Sequence, residues 1–131
     1  MVFYNQQSII IINLIIKNFI EVIFMAVVEI SIVPLGTGNT SISPFVAACE
    51  KELRENCGDL KYELTAMGTI IEGDLDQILA LIRRLHEVPF SRGALRVSTS
   101  IKIDDRRDKR GTIEQKVKSV EDKLDNNFGT Q

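Results

Sequence analysis

The sequence predicts an α+β fold in which two helices cover one face of a four-stranded antiparallel sheet. Apolar residues alternate with polar ones in short segments, as in half-buried strands, and recur every three or four residues in longer segments, as in amphipathic helices. These segments follow one another as strand, helix, strand, strand, helix and strand, and a further amphipathic segment predicts a C-terminal helix. Two successive β-α-β units in this order are the signature of a ferredoxin-like βαββαβ sandwich.

The first strand and the loop after it form the segment on which the rest of the domain is expected to pack. Residues 27–33 alternate between a strongly apolar face and a mixed face, so something partly covers the second face. Pro34 cannot donate to a sheet ladder and lies at the strand end. Residues 36–43 hold two glycines and five Ser, Thr or Asn side chains, a composition that favours ligand binding over simple connection.

The first helix is predicted to begin at Ser43, whose hydroxyl can cap free amides, with Pro44 tolerated in the first turn. An apolar stripe at helical spacing follows, and Gly58 ends the helix. Residues 61–72 then alternate as two strands that meet at a glycine turn, and Gly73 ends the second strand.

The second half of the domain begins with a helix start at Asp74, where Gln77 three residues later resembles a capping box. This helix is predicted to end before Pro89. Residues 95–103 show the clearest strand alternation in the chain. Residues 104–110 alternate in charge sign, which is typical of a solvated loop that pairs with itself.

The last helix is predicted to be capped by Thr112 together with Gln115. Its apolar stripe is narrow enough to form a seam with another helix, and the mixed face of the sheet would also leave apolar area in water. A second copy of the chain is the simplest cover for both surfaces. The stripe consists of Ile113, Val117, Val120 and Leu124.

Residues 1–24 differ in composition from the rest of the chain, because they are dominated by Ile, Asn, Lys and Phe, which AT-rich DNA encodes. We expect this segment to be a non-native or disordered extension, with the natural protein starting at Met25 and the domain spanning 25–131. Polar residues interrupt the apolar run, which argues against a signal peptide or a spanning helix; a membrane anchor is the alternative. The interrupting residues are Asn13, Lys17, Asn18 and Glu21.

Composition excludes several classes of function. Lys and Arg number 16 against 18 acidic residues, so the net charge of -2 provides no basic field and argues against a nucleic-acid partner. Cys49 and Cys57 lie eight residues apart in one helical pattern, where they cannot pair, and are interpreted as buried thiols of a reducing cytoplasm. One histidine, His86, and no Cys-x-x-Cys leave too few ligands for zinc or haem. We therefore expect neither a metal nor a cofactor.

The predicted topology gathers a candidate ligand site at one end of the sheet. The first strand is internal, so its end meets the beginnings of the two antiparallel strands beside it. That end therefore holds the loop 36–43, the turn before Thr69, Arg96 and the start of the first helix. Free amides at a helix start favour an anion or a polar acceptor.

Four segments in the same order resemble the motifs of one family. They are Ser-Ile-Val-Pro-Leu-Gly-Thr-Gly at 31–38, Met-Gly-Thr-Ile-Ile-Glu-Gly at 67–73, His86-Glu87, and Arg-Val-Ser-Thr-Ser-Ile-Lys-Ile-Asp-Asp-Arg at 96–106. From residue 25 to about residue 124 the chain resembles the small thiamin-binding protein family, which is related to the YkoF-type binders of thiamin and hydroxymethylpyrimidine. The resemblance implies a non-enzymatic cytosolic protein that forms dimers and tetramers and binds thiamin or a related pyrimidine.

The topology and the resemblance together select the candidate site residues. Hydroxyl groups suit the donors and acceptors of an aminopyrimidine, and a carboxylate suits the cationic ring of thiamin. Arg96 could bind a ligand acceptor or anchor the Pro34 loop, and Glu29 could instead pair with a basic side chain. The predicted ligand-binding residues are Glu29, Ser31, Gly36, Thr37, Ser43, Thr69 and Arg96.

Two other functions are weighed against ligand binding. The first is a regulatory or structural homo-oligomer whose loops only make subunit contacts. The second is an enzyme, in which His86, Ser43 and an acid could be written as a catalytic triad, although no nucleophile elbow marks the serine. The glycines around Thr37 lack the Gly-Lys-Ser/Thr of a P-loop, so a nucleotide site is not indicated.

Overall fold

The computed structural model describes residues 3–23 and 25–128. Its elements are, in chain order, α1 (Gln6–Ile23), β1 (Met25–Leu35), α2 (Ser43–Asn56), β2 (Lys61–Leu64), β3 (Thr69–Asp74), α3 (Leu75–Ser91), β4 (Arg96–Asp105) and α4 (Ile113–Phe128). The four strands form one sheet in the order β2-β3-β1-β4, and each neighbouring pair is antiparallel. The predicted ferredoxin-like α+β sandwich with a C-terminal helix is confirmed.

The helices α2 and α3 pack on one face of the sheet. Val28 of β1 lies opposite Ile71 of β3 in the strand register, and both side chains are fully buried beneath these helices. Burying an aliphatic side chain of this size contributes about 1.5–3 kcal/mol. One cluster therefore joins both helices to the sheet, and it consists of Ala26, Val28, Ile30, Leu53, Leu60, Ile71, Ile78, Leu81, Ile82 and Leu85.

We call the opposite side of the sheet the open face. The helix α4 covers part of it, because the Ile113 N–H donates to Glu72 Oε2 over 2.8 Å and Lys116 pairs with Asp104. The remaining part includes positions that are half-buried or exposed, as the mixed pattern of the first strand predicts. In β1 the open face consists of Val27, Glu29, Ser31 and Val33.

The second and third strands differ from their predicted lengths. The strand β2 ends at Leu64 because residues 65–68 form the hairpin turn. The strand β3 continues through Gly73 to Asp74, so the prediction that Gly73 ends it is wrong. Gly73 has a φ of 149°, and a Cβ at this position would collide with the Leu60 side chain. Glycine is needed here for close packing rather than for a strand end.

The helix α3 continues past its predicted end. It runs to Ser91 and contains the buried Pro89, so the prediction that it ends before Pro89 is wrong. A proline inside a helix removes one backbone hydrogen bond, here the one to the carbonyl of Leu85 four residues earlier. The Cys49 thiol of α2 donates to that carbonyl instead, with 3.7 Å between Sγ and the oxygen. A neighbouring helix thus offsets part of the cost of the proline.

The start of α2 also differs in detail. The helix begins at Ser43 as predicted, but its N-cap residue is Ile42, which makes no side-chain capping bond. The prediction that the Ser43 hydroxyl caps the helix is therefore wrong. The Ser43 hydroxyl lies 3.2 Å from the hydroxyl of Ser41 instead. Pro44 occupies the first turn, as predicted.

The other two predicted caps are confirmed. The Asp74 carboxylate accepts the Gln77 N–H over 2.9 Å at the start of α3. The Thr112 hydroxyl accepts the Gln115 N–H over 3.1 Å at the start of α4. Each of these bonds satisfies an amide that has no partner within its own helix.

The segment expected to be a non-native or disordered extension forms the helix α1. Between residues 6 and 19 every side chain is exposed except the half-buried Ser8. Among the described residues, no helix is both long and apolar enough to cross a membrane. Whether the natural protein starts at Met25 stays a prediction. The exposed large apolar side chains of α1 are Ile9, Ile10, Ile11, Ile12, Leu14, Ile15, Ile16 and Phe19.

Candidate functional site

The central strand β1 is longer than its pairing with β3. Its register with β3 stops at Ile30 opposite Thr69, whereas its register with β4 continues to Leu35 opposite Arg96. From Ser31 to Leu35, therefore, the side of β1 that faces β3 has no strand partner in the described part of the chain. Backbone groups on an unpaired strand side remain open to a ligand.

The β2–β3 hairpin turns back where this pairing stops. The Thr65 hydroxyl donates to the Gly68 carbonyl over 2.8 Å and accepts the Gly68 N–H over 3.2 Å. Gly68 lies so close to β1 that a Cβ on it would be 2.6 Å from the Ile30 carbonyl oxygen. The turn is therefore tight and is held against β1 by a glycine that no larger residue could replace without movement.

A cavity of about 140 Å³ lies between β1, this hairpin and α2. We call it the hairpin cavity. Its walls are mainly apolar, and Leu64 and Met67 lie at the exposed side of the hairpin, where Met67 is 86% exposed. Its other apolar walls include Ile32 of β1 and Val46 and Leu53 of α2. A mostly apolar cavity with a few polar groups is the usual form of a small-molecule site.

The polar groups of the hairpin cavity come from three elements. Ser31 of β1, Thr65 and Thr69 of the hairpin and Glu50 of α2 all line it. The Glu50 side chain is 12% exposed, and Arg54 Nε approaches it at only 3.4 Å. Among the described residues, Glu50 is thus the one carboxylate that lines this cavity, and it can stabilise a cation or accept an N–H donor.

Sequence reasoning missed Glu50. It lies four residues after Val46 and three before Leu53, on the helix face that the apolar stripe marks as buried. A carboxylate at such a position was a usable signal, because charged side chains are almost never buried without a partner or a role.

Cys49 also lines the hairpin cavity. Burial raises the pKa of its thiol above the ordinary value, and the nearby positive charge of Arg92 opposes that shift only partly. The thiol therefore remains protonated at neutral pH and can serve as a weak hydrogen-bond donor. Cys49 and Cys57 are both free and half-buried, whereas the sequence predicted buried thiols.

The structure brings two of the predicted site residues to the hairpin cavity, Ser31 and Thr69. Glu29 is exposed on the open face near the same turn, with its Cγ 3.9 Å from where a Gly68 Cβ would be. Arg96 is exposed at the start of β4 and does not line the cavity.

The loop after β1 lies outside the cavity lining. Gly36 has a φ of 71°, which glycine adopts without strain. The Thr37 hydroxyl donates to the Asn39 carbonyl over 3.0 Å, and Ser43 contacts Ser41 as described above. This loop therefore bonds largely to itself, and a role in ligand binding stays a prediction for Gly36, Thr37 and Ser43.

His86 joins a helix to the edge of the sheet. Its Nδ1 lies 2.7 Å from the Thr99 hydroxyl of β4, and its ring stacks edge to face on Phe90 at 5.5 Å between centroids. Neither Ser43 nor a carboxylate takes part in these contacts. Among the described residues, no cluster of three or more His, Cys, Asp or Glu side chains could hold a metal ion.

Comparison with known proteins places this architecture in a family. The model of a family described as "Thiamine-binding protein" matches residues 28–121. The UPF0045 protein YqgV of Bacillus subtilis is 47% identical over 98 residues, which cover 73% of this chain and 94% of the relative. The UPF0045 protein MJ1052 of Methanocaldococcus jannaschii is 44% identical over 100 residues, covering 75% of this chain and 96% of the relative.

Solved structures agree with this assignment. A crystal structure of MJ1052 superposes with a TM-score of 0.66 at 42% identity, covering 74% of this chain and 96% of that one. The fold is also shared with a Thermotoga maritima protein that is provisionally named for thiamine biosynthesis or salvage, at a TM-score of 0.62 and 22% identity over 73% of this chain and 98% of that one. From its sequence and its fold, this chain belongs to the thiamine-binding protein family.

Proposed function

We propose that this protein binds thiamin or a related pyrimidine in the hairpin cavity, without catalysing a reaction on it. The observation that carries the proposal is the cavity at the unpaired side of β1, which is lined by Thr69 and by the unpaired backbone segment at Ser31. Membership of the family supports the ligand class, because its model matches residues 28–121 and so includes every element of this cavity.

The size of the hairpin cavity indicates which part of the ligand enters it. At about 140 Å³ it is smaller than the roughly 300–1,000 Å³ of pockets that enclose drug-sized molecules. A single aromatic ring such as the aminopyrimidine fits this volume better than thiamin as a whole. The remainder of thiamin would then extend toward the exposed Met67 at the hairpin turn.

The polar groups match an aminopyrimidine. Its ring nitrogens accept hydrogen bonds and its amino group donates them, so the Thr69 hydroxyl and the backbone N–H and C=O groups at Ser31 can serve as partners in either direction. The Glu50 carboxylate is placed to accept the amino group or to stabilise the thiazolium cation. Each well-formed bond is worth about 0.5–1.5 kcal/mol net.

Binding without catalysis is favoured by what the polar groups already do. The Thr65 hydroxyl is committed to Gly68, and His86 is committed to Thr99 of β4. A hydroxyl nucleophile needs a base within hydrogen-bond reach, and His86 does not line the hairpin cavity. We therefore assign no catalytic residue.

We further propose a cytoplasmic homo-oligomer, a dimer or a tetramer, that binds no nucleic acid and is not held at a membrane. Two free half-buried thiols suit a reducing compartment, and the acidic net charge of -2 does not suit a phosphate backbone. Self-association is supported by the open face and by the α4 stripe, where Val117, Val120 and Leu124 are all more than half exposed. A homo-oligomer with no small-molecule ligand is the second candidate function.

Calorimetric titration with thiamin, thiamin phosphate and hydroxymethylpyrimidine tests the proposal. We expect saturable binding at one site per chain, with the isolated pyrimidine keeping a large share of the affinity because its ring occupies the cavity. If none of the three binds below millimolar concentration, the ligand class is wrong and the second candidate function takes its place.

A further inference from the structure

A second carboxylate in this molecule lies buried without its full set of partners. Glu72 of β3 is 3% exposed. Its Oε2 accepts the Ile113 N–H over 2.8 Å, whereas its Oε1 has no hydrogen-bond partner among the described residues. Buried polar atoms are paired in the large majority of cases, so an unpaired carboxylate oxygen requires a specific explanation.

The side chain of Glu72 lines a cleft between β2 and α4, which we call the α4 cleft. Its volume is about 870 Å³, and its apolar surface includes Ile113 and Val117 of α4. The ionised side chains that line it are the carboxylates of Glu63, Glu72, Glu114 and Glu121 and the cations of Lys61, Lys118 and Arg110. Acidic groups exceed basic ones, and the only buried member of the set is acidic.

Lys61 is the obvious alternative partner for Glu72. The two residues lie opposite each other in the register of β2 and β3, so their Cβ atoms are roughly 5 Å apart. The Lys61 side chain is nevertheless exposed, and Glu72 Oε1 receives no bond from it. An ammonium on a long exposed side chain gains little from such a pair, since exposed ion pairs contribute about 0–1 kcal/mol. Lys61 therefore competes only weakly for this oxygen.

We propose that the α4 cleft is a second binding site, which takes a small organic cation with N–H donors. Glu72 Oε1 is itself buried, so the Glu72 side chain turns toward the cleft to bind the cation through this oxygen. A metal ion is not the expected occupant, because no cluster of three metal-ligating side chains exists among the described residues. An organic cation with a flat apolar body can donate to the carboxylate while it contacts Ile113 and Val117. The proposal is independent of the pyrimidine site, because the α4 cleft and the hairpin cavity share no lining residue.

The same carboxylate connects this site to the position of α4. Glu72 Oε2 holds the first amide of α4, and Thr112 holds the amide of Gln115. A cation at Oε1 offsets the cost of the buried charge and so stabilises the arrangement in which α4 is docked. Occupation of the cleft should therefore slow amide exchange in the first turns of α4.

Titration of the full chain with benzamidinium, followed by NMR, tests the proposal. We expect millimolar affinity, because benzamidinium has about nine non-hydrogen atoms and so small a ligand makes few contacts. Chemical-shift changes should appear at Glu72 and in the first turns of α4. Glu72→Gln should weaken binding at least tenfold. The glutamine carbonyl can still accept the Ile113 N–H, but the glutamine NH2 group replaces Oε1 and so offers the cation donors in place of a charged acceptor. Glu63→Gln is the matched control, since this exposed carboxylate lines the same cleft. It should change the affinity by less than threefold.

If Glu72→Gln binds benzamidinium as tightly as the parent, or if both Gln variants weaken it equally, the proposal is overturned. A Lys61→Met variant adds a second check, because removal of a weakly competing ammonium should tighten binding by no more than about fivefold in the presence of Glu72 and have no effect in its absence. Amide exchange of α4 is also measured in Glu72→Gln without ligand. Unchanged exchange rates would show that the helix remains docked in this variant. Loss of thiamin binding in these variants is not expected, so failure here leaves the pyrimidine site untouched.

Discussion

The Cys49 thiol of α2 donates to the Leu85 carbonyl of α3, with 3.7 Å between Sγ and the oxygen. This is the carbonyl that Pro89 leaves without a helical partner. The contact joins the two helices that cover the sheet, and it lies at the wall of the hairpin cavity. A proline inside a helix is therefore tolerated here through a side chain from a different element.

Replacing this thiol tests its contribution. Cys49→Val fills a similar volume without a donor, so we expect a loss of about 1 kcal/mol in the free energy of unfolding. Cys57→Val is the control, because the Cys57 thiol donates to the nearby Arg54 carbonyl and, among the described residues, to no other element. Urea unfolding of both variants measures the difference, and equal losses would show that the bond to Leu85 contributes nothing.

The pH dependence of stability should also report Cys49. Its pKa is raised in the folded protein by burial, so the unfolded chain releases the thiol proton first, near pH 8.5. The Cys49 contribution is thus fully present below that pH and is lost as the pH rises toward the folded pKa. Urea unfolding at pH 7 and pH 9.5 should show a smaller pH-dependent loss in Cys49→Val than in the parent. An identical loss in both proteins would contradict this assignment.

Close packing at Gly73 predicts that adding a side chain there destabilises the fold. A Cβ there would collide with Leu60, and the φ of 149° disfavours any side chain. Gly73→Ala should therefore destabilise the fold by about 1–3 kcal/mol. Gly111→Ala is the control, since nothing lies within 4 Å of its added Cβ and its φ is not positive. Thermal unfolding compares the two variants, and similar midpoints would show that Leu60 moves aside freely.

Much of the fold could be predicted because its signals are local. Strand alternation, the cap at Asp74 and the cap at Thr112 depend on residues within a few positions of one another. The wrong predictions include the cap at Ser43, the strand end at Gly73 and the helix end before Pro89, and the last two depend on contacts from distant residues. Leu60 explains why Gly73 is required without ending β3, and Cys49 explains how α3 continues through Pro89.

The candidate site was predictable only in its location. Topology placed Thr69 and the end of β1 together, and the structure does so. The sequence could not show that the pairing of β1 with β3 stops at Ile30, and this early stop opens the hairpin cavity beside Ser31. The sequence also could not show that the Thr37 hydroxyl donates to the Asn39 carbonyl. Strand register and loop conformation are set by tertiary packing, which a periodic pattern does not contain.

Self-association can be tested at the α4 stripe. Val117 is 54% exposed and Val120 is 58% exposed, and covering such area in an interface stabilises it by about 25 cal/mol per Å². We expect sedimentation at micromolar concentration to show a dimer or a tetramer. The double variant Val117→Glu and Val120→Glu should shift the protein toward a smaller species. Removal of residues 1–24 from both proteins controls for the exposed isoleucines of α1, and a monomeric parent would contradict the prediction.

Ligand binding can be assigned to the hairpin cavity by comparing three substitutions. Thr69→Val keeps the shape of the side chain and removes a hydroxyl that lines the cavity, so thiamin affinity should fall by roughly threefold to tenfold. Glu50→Gln should cost about as much or more, because it removes a charge that the cationic ring or the amino group would meet.

Thr37→Val distinguishes this site from the loop after β1. The Thr37 hydroxyl bonds to Asn39 and lies outside the cavity lining, so its loss should leave the affinity within about twofold. Calorimetric titration of the three variants, with thermal unfolding to confirm that each is folded, gives the comparison. If Thr37→Val weakens binding while Thr69→Val and Glu50→Gln do not, thiamin binds at the loop 36–43 and the cavity is the wrong site. If all three variants weaken binding, thiamin spans the cavity and the loop 36–43. Its second ring then lies at that loop and not near Met67.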